Sequence, residues 1–168
     1  SSSVQTRAVD ISEFYTGYRQ TVLKADEYIA GIRLLKRSLN SFTRCYKSSK
    51  RIEDDISSVM GAFLFEGDSS TLLEGGGSKI TAARIAFGGM AATPVRLTGI
   101  EDRLVGKTVS EELLTDVSEA LGEAMSPLTD VRASAEDRTA MARSMVVRAL
   151  NEFSGISKPL VMELELHA

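Results

Sequence analysis

ISSVMGAFLFE, Ile56 to Glu66, is the longest apolar run of the chain, and KITAARIAF, Lys79 to Phe87, follows it with a two-residue alternation. In the second stretch Ile80, Ala82 and Arg84 fall on one side and Lys79, Thr81, Ala83 and Ile85 on the other, the period of an extended strand. Gly67-Asp68 and Gly75-Gly76-Gly77 stand between the two runs and supply turn residues, so they are expected to fold back as an antiparallel hairpin with an embellished connection. The triple glycine has the composition of a phosphate cradle, but such a cradle leads from a strand into a helix. Here a strand follows, and a plain turn is the better reading.

Working upstream, Ser41 to Ser48 (SFTRCYKS) reads as a further strand, with Phe42 and Tyr46 on one face and Cys45 and Lys47 on the other. Glu27 to Lys36 (EYIAGIRLLK) alternates around Tyr28, Ile29, Ile32 and Leu34 and is also taken as a strand, although a short helix fits the same residues. Residues 1 to 25, polar at first and then gathering Phe14, Tyr15 and Tyr18 around Gly17, read as an extended arm.

Downstream the period becomes helical. Thr93-Pro94 places a hydroxyl at an N-cap and a proline at the first helical position, predicting a short helix that stops before Gly106. Thr108-Val109-Ser110-Glu111 has the form of a capping box, and Val109, Leu113, Val117, Leu121 and Ala124 then recur at helical spacing up to Pro127. Ser134-Ala135-Glu136-Asp137 opens a third helix, whose stripe Ala142, Met145, Val146, Ala149, Leu150 and Phe153 closes near Gly155. Each helix has one apolar face and the sheet is half-buried. The expected architecture is therefore an α+β two-layer sandwich, an antiparallel sheet of three or four strands with three helices on one face. It would occupy residues 26–155, with 156–168 a tail that either adds an edge strand or hangs free.

Composition narrows the chemistry. The chain has 168 residues, with 20 Lys and Arg against 23 Asp and Glu, a balance that suits neither a nucleic-acid coat nor a polybasic membrane binder. One cysteine (Cys45) and one histidine (His167) exclude a disulfide framework, a Cys/His zinc site and iron–sulfur ligation within these residues. His167 lies in the tail, which leaves no Ser-His or Cys-His pair. No apolar run is long enough to span a bilayer, and a cytoplasmic protein is expected. The stretch begins with Ser1-Ser2-Ser3 rather than Met and is read as processed or cut from something longer.

Two loops carry the candidate chemistry. Lys47 to Ile56 (KSSKRIEDDI) is the densest charged cluster, and its trio Glu53, Asp54 and Asp55 invites a magnesium reading. Three consecutive carboxylates do not converge on one ion, however, and Lys50 and Arg51 stand beside them, so a solvated, internally paired loop is favoured. Gly88-Gly89, at the end of a strand, permits positive φ or a close backbone approach by a helix, a ligand or another chain.

FYTGYRQTVL (Phe14 to Leu23), YKSSKRIEDDIS (Tyr46 to Ser57), AFGGMAATPVR (Ala86 to Arg96) and LTDVRASAEDR (Leu128 to Arg138), in that order, resemble the flavin-binding region of xanthine dehydrogenases. The resemblance implies the C-terminal part of the FAD domain of a molybdenum hydroxylase. In that family electrons from purine oxidation at a molybdenum cofactor pass through two [2Fe–2S] clusters to FAD and on to NAD. It implies as partners an upstream FAD-binding domain, an iron–sulfur domain and a molybdenum-binding subunit or domain, with no nucleic acid and no membrane, and a piece that is inactive alone. Carried over by position, Leu23 matches a leucine packing on FAD, Lys47 a lysine reaching the flavin ring, and Asp54 an acidic residue near its reactive edge. A cation beside the flavin stabilises the negative charge of the reduced ring. Ile52 stands where many family members carry a second basic residue. The rival expectation is a non-catalytic module joining domains or subunits; a third, a free-standing small-ligand binder, requires a closed pocket. Phe14, Tyr15 and Tyr18 are candidates for an apolar surface through which the isolated piece self-associates as a homodimer.

Overall fold

The computed structural model describes residues 5–36, 41–51, 55–68 and 78–155. Strand β4 (Val59–Gly67) has two chemically unlike faces: Val59, Gly61, Phe63, Phe65 and Gly67 are buried, whereas Met60, Ala62, Leu64 and Glu66 are partly or largely open. It pairs antiparallel with β3 (Ser41–Ser48) on one side and β5 (Ile80–Gly88) on the other, and the two-residue β6 (Val95–Arg96) extends the sheet in the order β3-β4-β5-β6. Register sets Phe42 opposite Phe65, Tyr46 opposite Gly61, Phe63 opposite Ile85 and Gly61 opposite Phe87. One face is thereby a slab of rings, with Phe63 edge-on to Phe87 at 5.6 Å. Gly61 makes the room: a Cβ there would sit 2.8 Å from the Phe63 ring and 2.9 Å from that of Phe87.

Three helices cover this face: α2 (Thr98–Leu104), α3 (Glu111–Ala124) and α4 (Ala135–Phe153). Ile100, Leu104, Val117, Leu121, Val146 and Leu150 share one apolar core with the strands. The molecule is the expected α+β sandwich, with an antiparallel four-stranded sheet. Helix α4 starts where its sequence says, the Ser134 hydroxyl accepting from the Asp137 N–H, and all six residues of its predicted stripe are buried.

The structure corrects four local expectations. Glu27 to Lys36 forms neither strand nor helix, and Tyr28, Ile32 and Leu35 are exposed. Alternation alone makes no strand without a partner ladder, and the fourth strand is instead β6. Pro94 does not open a helix. It leads into β6, which pairs with Ala86 and Phe87, and α2 starts after Leu97. A residue without an N–H loses nothing ahead of an edge strand. The cap of α3 is Ser110, whose hydroxyl accepts from the Leu113 N–H, while Thr108 bridges to Lys79; Met125 is buried where Ala124 was expected to be. Finally, Ile80 lies on the same buried face as Ala83, Ile85 and Phe87. An irregularity in the pairing at Glu66/Gly67 shifts the phase of β5 by one residue, which a strict two-residue period misses.

The arm has short elements of its own. Helix α1 (Ile11–Phe14), capped by Asp10, leads into a small hairpin of β1 (Tyr15–Gly17) and β2 (Gln20–Thr21). Arg7 closes its base on Glu27 at 2.7 Å and on the Val22 carbonyl at 2.8 Å. The triple glycine, the tail 156–168, Ile52 and Asp54 lie outside the described residues.

Candidate functional site

The alternation of β3 sends Phe42, Arg44 and Tyr46 toward the helices and Cys45 and Lys47 away from them. Lys47 stands opposite Met60, which stands opposite Gly88; the next row is Cys45, Ala62, Ala86 and Arg96. The open face at this end of the sheet is thus a floor of Met60 and small side chains, with the Lys47 ammonium at one border and Arg96, paired with Glu101, at the other. Met60 is 45% exposed, and a Cβ at Gly88 would meet nothing within 4 Å. No described carboxylate pairs with Lys47. Such a surface suits a flat ring system that acquires negative charge.

Arg44, three residues earlier on the other face, contrasts with it. The buried Glu152 of α4 takes Arg44 Nε at 3.0 Å and Arg148 Nε at 2.8 Å. Both guanidiniums also lie over rings, Arg44 over Phe42 and Arg148 over Tyr46. Burial would raise the Glu152 carboxyl, yet the hydrogen bonds from Arg148 and Arg44 hold it below its ordinary value. Burial, reinforced by Glu152, pushes the Tyr46 phenol up to about 12.

Beyond Lys47 the loop is tied down at both ends. The Ser58 N–H donates to the Ser48 carbonyl at 2.7 Å, and Asp55 accepts from the N–H groups of Arg51 and Ile56 and pairs with the Arg51 guanidinium. Asp55 is paired within the loop as the favoured reading expects, while Glu53 and Asp54 lie outside the described residues. Among the described residues no three His, Cys, Asp or Glu side chains are placed to hold a metal ion.

The segment 128–134 docks against this loop, Lys50 Nζ donating to the Val131 carbonyl at 2.6 Å. Arg138, in the first turn of α4 and only 4% exposed, joins the pieces. Its Nη1 donates to the carbonyls of Ser58 and, at 3.0 Å, Gly89, and its Nη2 to Asp130 at 2.6 Å. Asp130 also accepts from the N–H groups of Arg132 and Ala133; the Arg132 N–H first and Arg138 second lower its carboxyl to about 2. Gly89 has φ of 83°, and a Cβ there would run into the Ser58 carbonyl.

Of the residues singled out from sequence, Lys47 lies on the open face and Leu23 in the arm beyond β2, at the edge of exposure; Asp54 is outside the described residues. Sequence reading quoted Asp130 and Arg138 within the segment Leu128 to Arg138 but gave them no role, and it passed over Ser58. A signal existed: Arg138 falls four residues before Ala142, a cation on the apolar stripe of α4. A groove of about 580 Å³ between α3 and α4, lined partly by Gly122, Thr139 and Arg143, belongs to the helical layer and not to Lys47.

A family model described as the CO dehydrogenase flavoprotein C-terminal domain matches residues 44–153. Xanthine dehydrogenase of Emericella nidulans is 33% identical over 104 residues, 61% of this chain and 7% of that protein. The carbon monoxide dehydrogenase medium chain of Hydrogenophaga pseudoflava is 28% identical over 145 residues, 86% of this chain and 47% of that one. A solved structure of the Hydrogenophaga enzyme, in a form lacking the Mo-pyranopterin moiety of its molybdenum cofactor, superposes with a TM-score of 0.72 at 26% identity, covering 84% of this chain and 46% of that chain. The chain spans less than half the length of these relatives.

Proposed function

The chain belongs to the CO dehydrogenase flavoprotein C-terminal domain family, within the molybdenum hydroxylases, and from that premise we propose that it closes one side of an FAD site in a xanthine-dehydrogenase-type enzyme acting on purines such as hypoxanthine and xanthine. When bound, FAD supplies the electron-transfer step between iron–sulfur clusters and NAD. The residues present fit such a group: an ammonium with no acidic partner among the described residues borders a floor of Met60, Ala62, Ala86 and Gly88. Lys47 favours negative charge on whatever ring lies there, Leu23 packs against that ring from the arm, and Asp54 tunes access to its reactive edge. An upstream FAD-binding domain, an iron–sulfur domain and a molybdenum-binding domain or subunit complete the enzyme, and this piece is inactive without them. The similarity to xanthine dehydrogenase and the GYR-leucine sequence of the arm support the purine reading.

The observation that carries the proposal is Lys47 on the open face, with no acid beside it among the described residues. The test is Lys47→Met in the complete enzyme, with FAD content and flavin midpoint potential measured. Loss of about 1.4 kcal/mol of stabilisation of the reduced ring lowers the potential by about 30 mV. A variant with unaltered FAD content and potential overturns the role of Lys47.

A further inference from the structure

We propose that Arg138 is a positioning residue for the Lys47 end of the sheet, one guanidinium clasping the three segments that converge there. The argument rests on where its acceptors lie. Ser58 immediately precedes β4, and its own N–H is bonded to the Ser48 carbonyl, directly after Lys47. Gly89 directly follows Gly88, the far member of the row that runs from Lys47 through Met60. Asp130 holds the turn 130–133, from which the Arg132 carbonyl accepts the Ser58 hydroxyl at 3.4 Å and the neighbouring Val131 carbonyl accepts Lys50. A buried guanidinium with three acceptors on three segments fixes their spacing, because its donors form a rigid planar fork. Lysine has the charge without the fork. Its single ammonium does not reproduce the same three-way geometry.

The inference deepens the flavin reading, since the end of the sheet it positions is the one assigned to the ring. The experiment uses the complete enzyme with Arg138→Met, Arg138→Lys and Asp130→Asn, alone and, for the first, combined with Lys47→Met. Amide hydrogen exchange reads the clasp and flavin potential reads its consequence. In Arg138→Met, exchange at residues 55–58, 89–91 and 130–133 is expected to rise at least tenfold, with the central amides of β4 unchanged. Arg138→Lys is expected to recover part of that protection, and Asp130→Asn to loosen 130–133 most. The flavin potential of Arg138→Met is expected to move in the same direction as that of Lys47→Met, and the double variant to add little beyond the larger single effect. Uniform loosening that includes β4, or unchanged exchange at all three segments, overturns the clasp. If Arg138→Met does not fold, Asp130→Asn decides by the same exchange criterion at 130–133 and 55–58. A silent Lys47→Met beside a locally loosened Arg138→Met overturns the role of Lys47 at the flavin and leaves the clasp standing; strict additivity of the two potentials overturns the link between them.

Discussion

Strand β3 carries two cations on opposite faces, and they have opposite fates. Arg44 shares the buried Glu152 with Arg148 and lies over Phe42, whereas Lys47 faces out over small side chains with no described acid beside it. The core satisfies its charges because an unpaired one in a low dielectric is costly. The open face sets no described acid against its charge, so among the described residues that charge makes no contact that holds the fold. The difference separates a cation that holds the fold from one proposed to face a ligand, and substitutions can break or sharpen it.

The largest effect is expected from Glu152→Ala. It leaves two guanidiniums facing the core without their carboxylate, but both are more than a third exposed and can turn to water. The loss is therefore placed at about 2 kcal/mol in urea unfolding, below the roughly 3–5 kcal/mol of a fully buried pair. The same cluster sets a pH dependence. Because Glu152 is held below its unfolded value, its contribution is present above the ordinary carboxylate range and lost as pH falls through the folded value. Asp130, lowered from 3.8 to about 2, follows the same sign: the clasp on Arg138 is expected to stay closed down to about pH 4 and to open between there and pH 2, read by amide exchange at 130–133.

Gly89 and its neighbour Gly88 offer the next comparison. Gly89→Ala forces a side chain into positive φ and onto the Ser58 carbonyl, an expected cost of about 1.5 kcal/mol. Gly88→Ala meets open space and is expected to stay within about 0.5 kcal/mol of the parent. Equal losses in thermal or urea unfolding would mean that the two glycines serve one turn and that the Ser58 contact is incidental.

How much of this was legible follows from what each signal depends on. Helix α4 could be read residue by residue, since its cap and its 3.6-residue stripe are local, and β3 was placed at its true bounds by its aromatics. The false strand at Glu27 to Lys36 and the missed β6 share a cause: a strand exists through its partner, and two residues, Val95 and Arg96, suffice when Phe87 and Ala86 offer a ladder. The Lys47 loop and the Gly88-Gly89 turn were visible as separate compositions. Their junction was not, because Arg138 reaches Ser58 and Gly89 across 80 and 49 residues of chain.

The smallest expected effect is the most informative about the two faces of β3. Lys47→Met removes a charge that contacts no described acid, from an exposed position between Tyr46 and Ser48. Methionine keeps the length and the apolar stem, so unfolding is expected to shift by no more than about 0.5 kcal/mol, in contrast to the loss at Glu152. A drop near that of Glu152→Ala would mean that Lys47 is held by a structural partner, and the open face would then lose the feature that distinguishes it from the core. An unchanged midpoint combined with a shifted flavin potential is the signature expected of a residue whose charge acts on a ligand and not on its own fold.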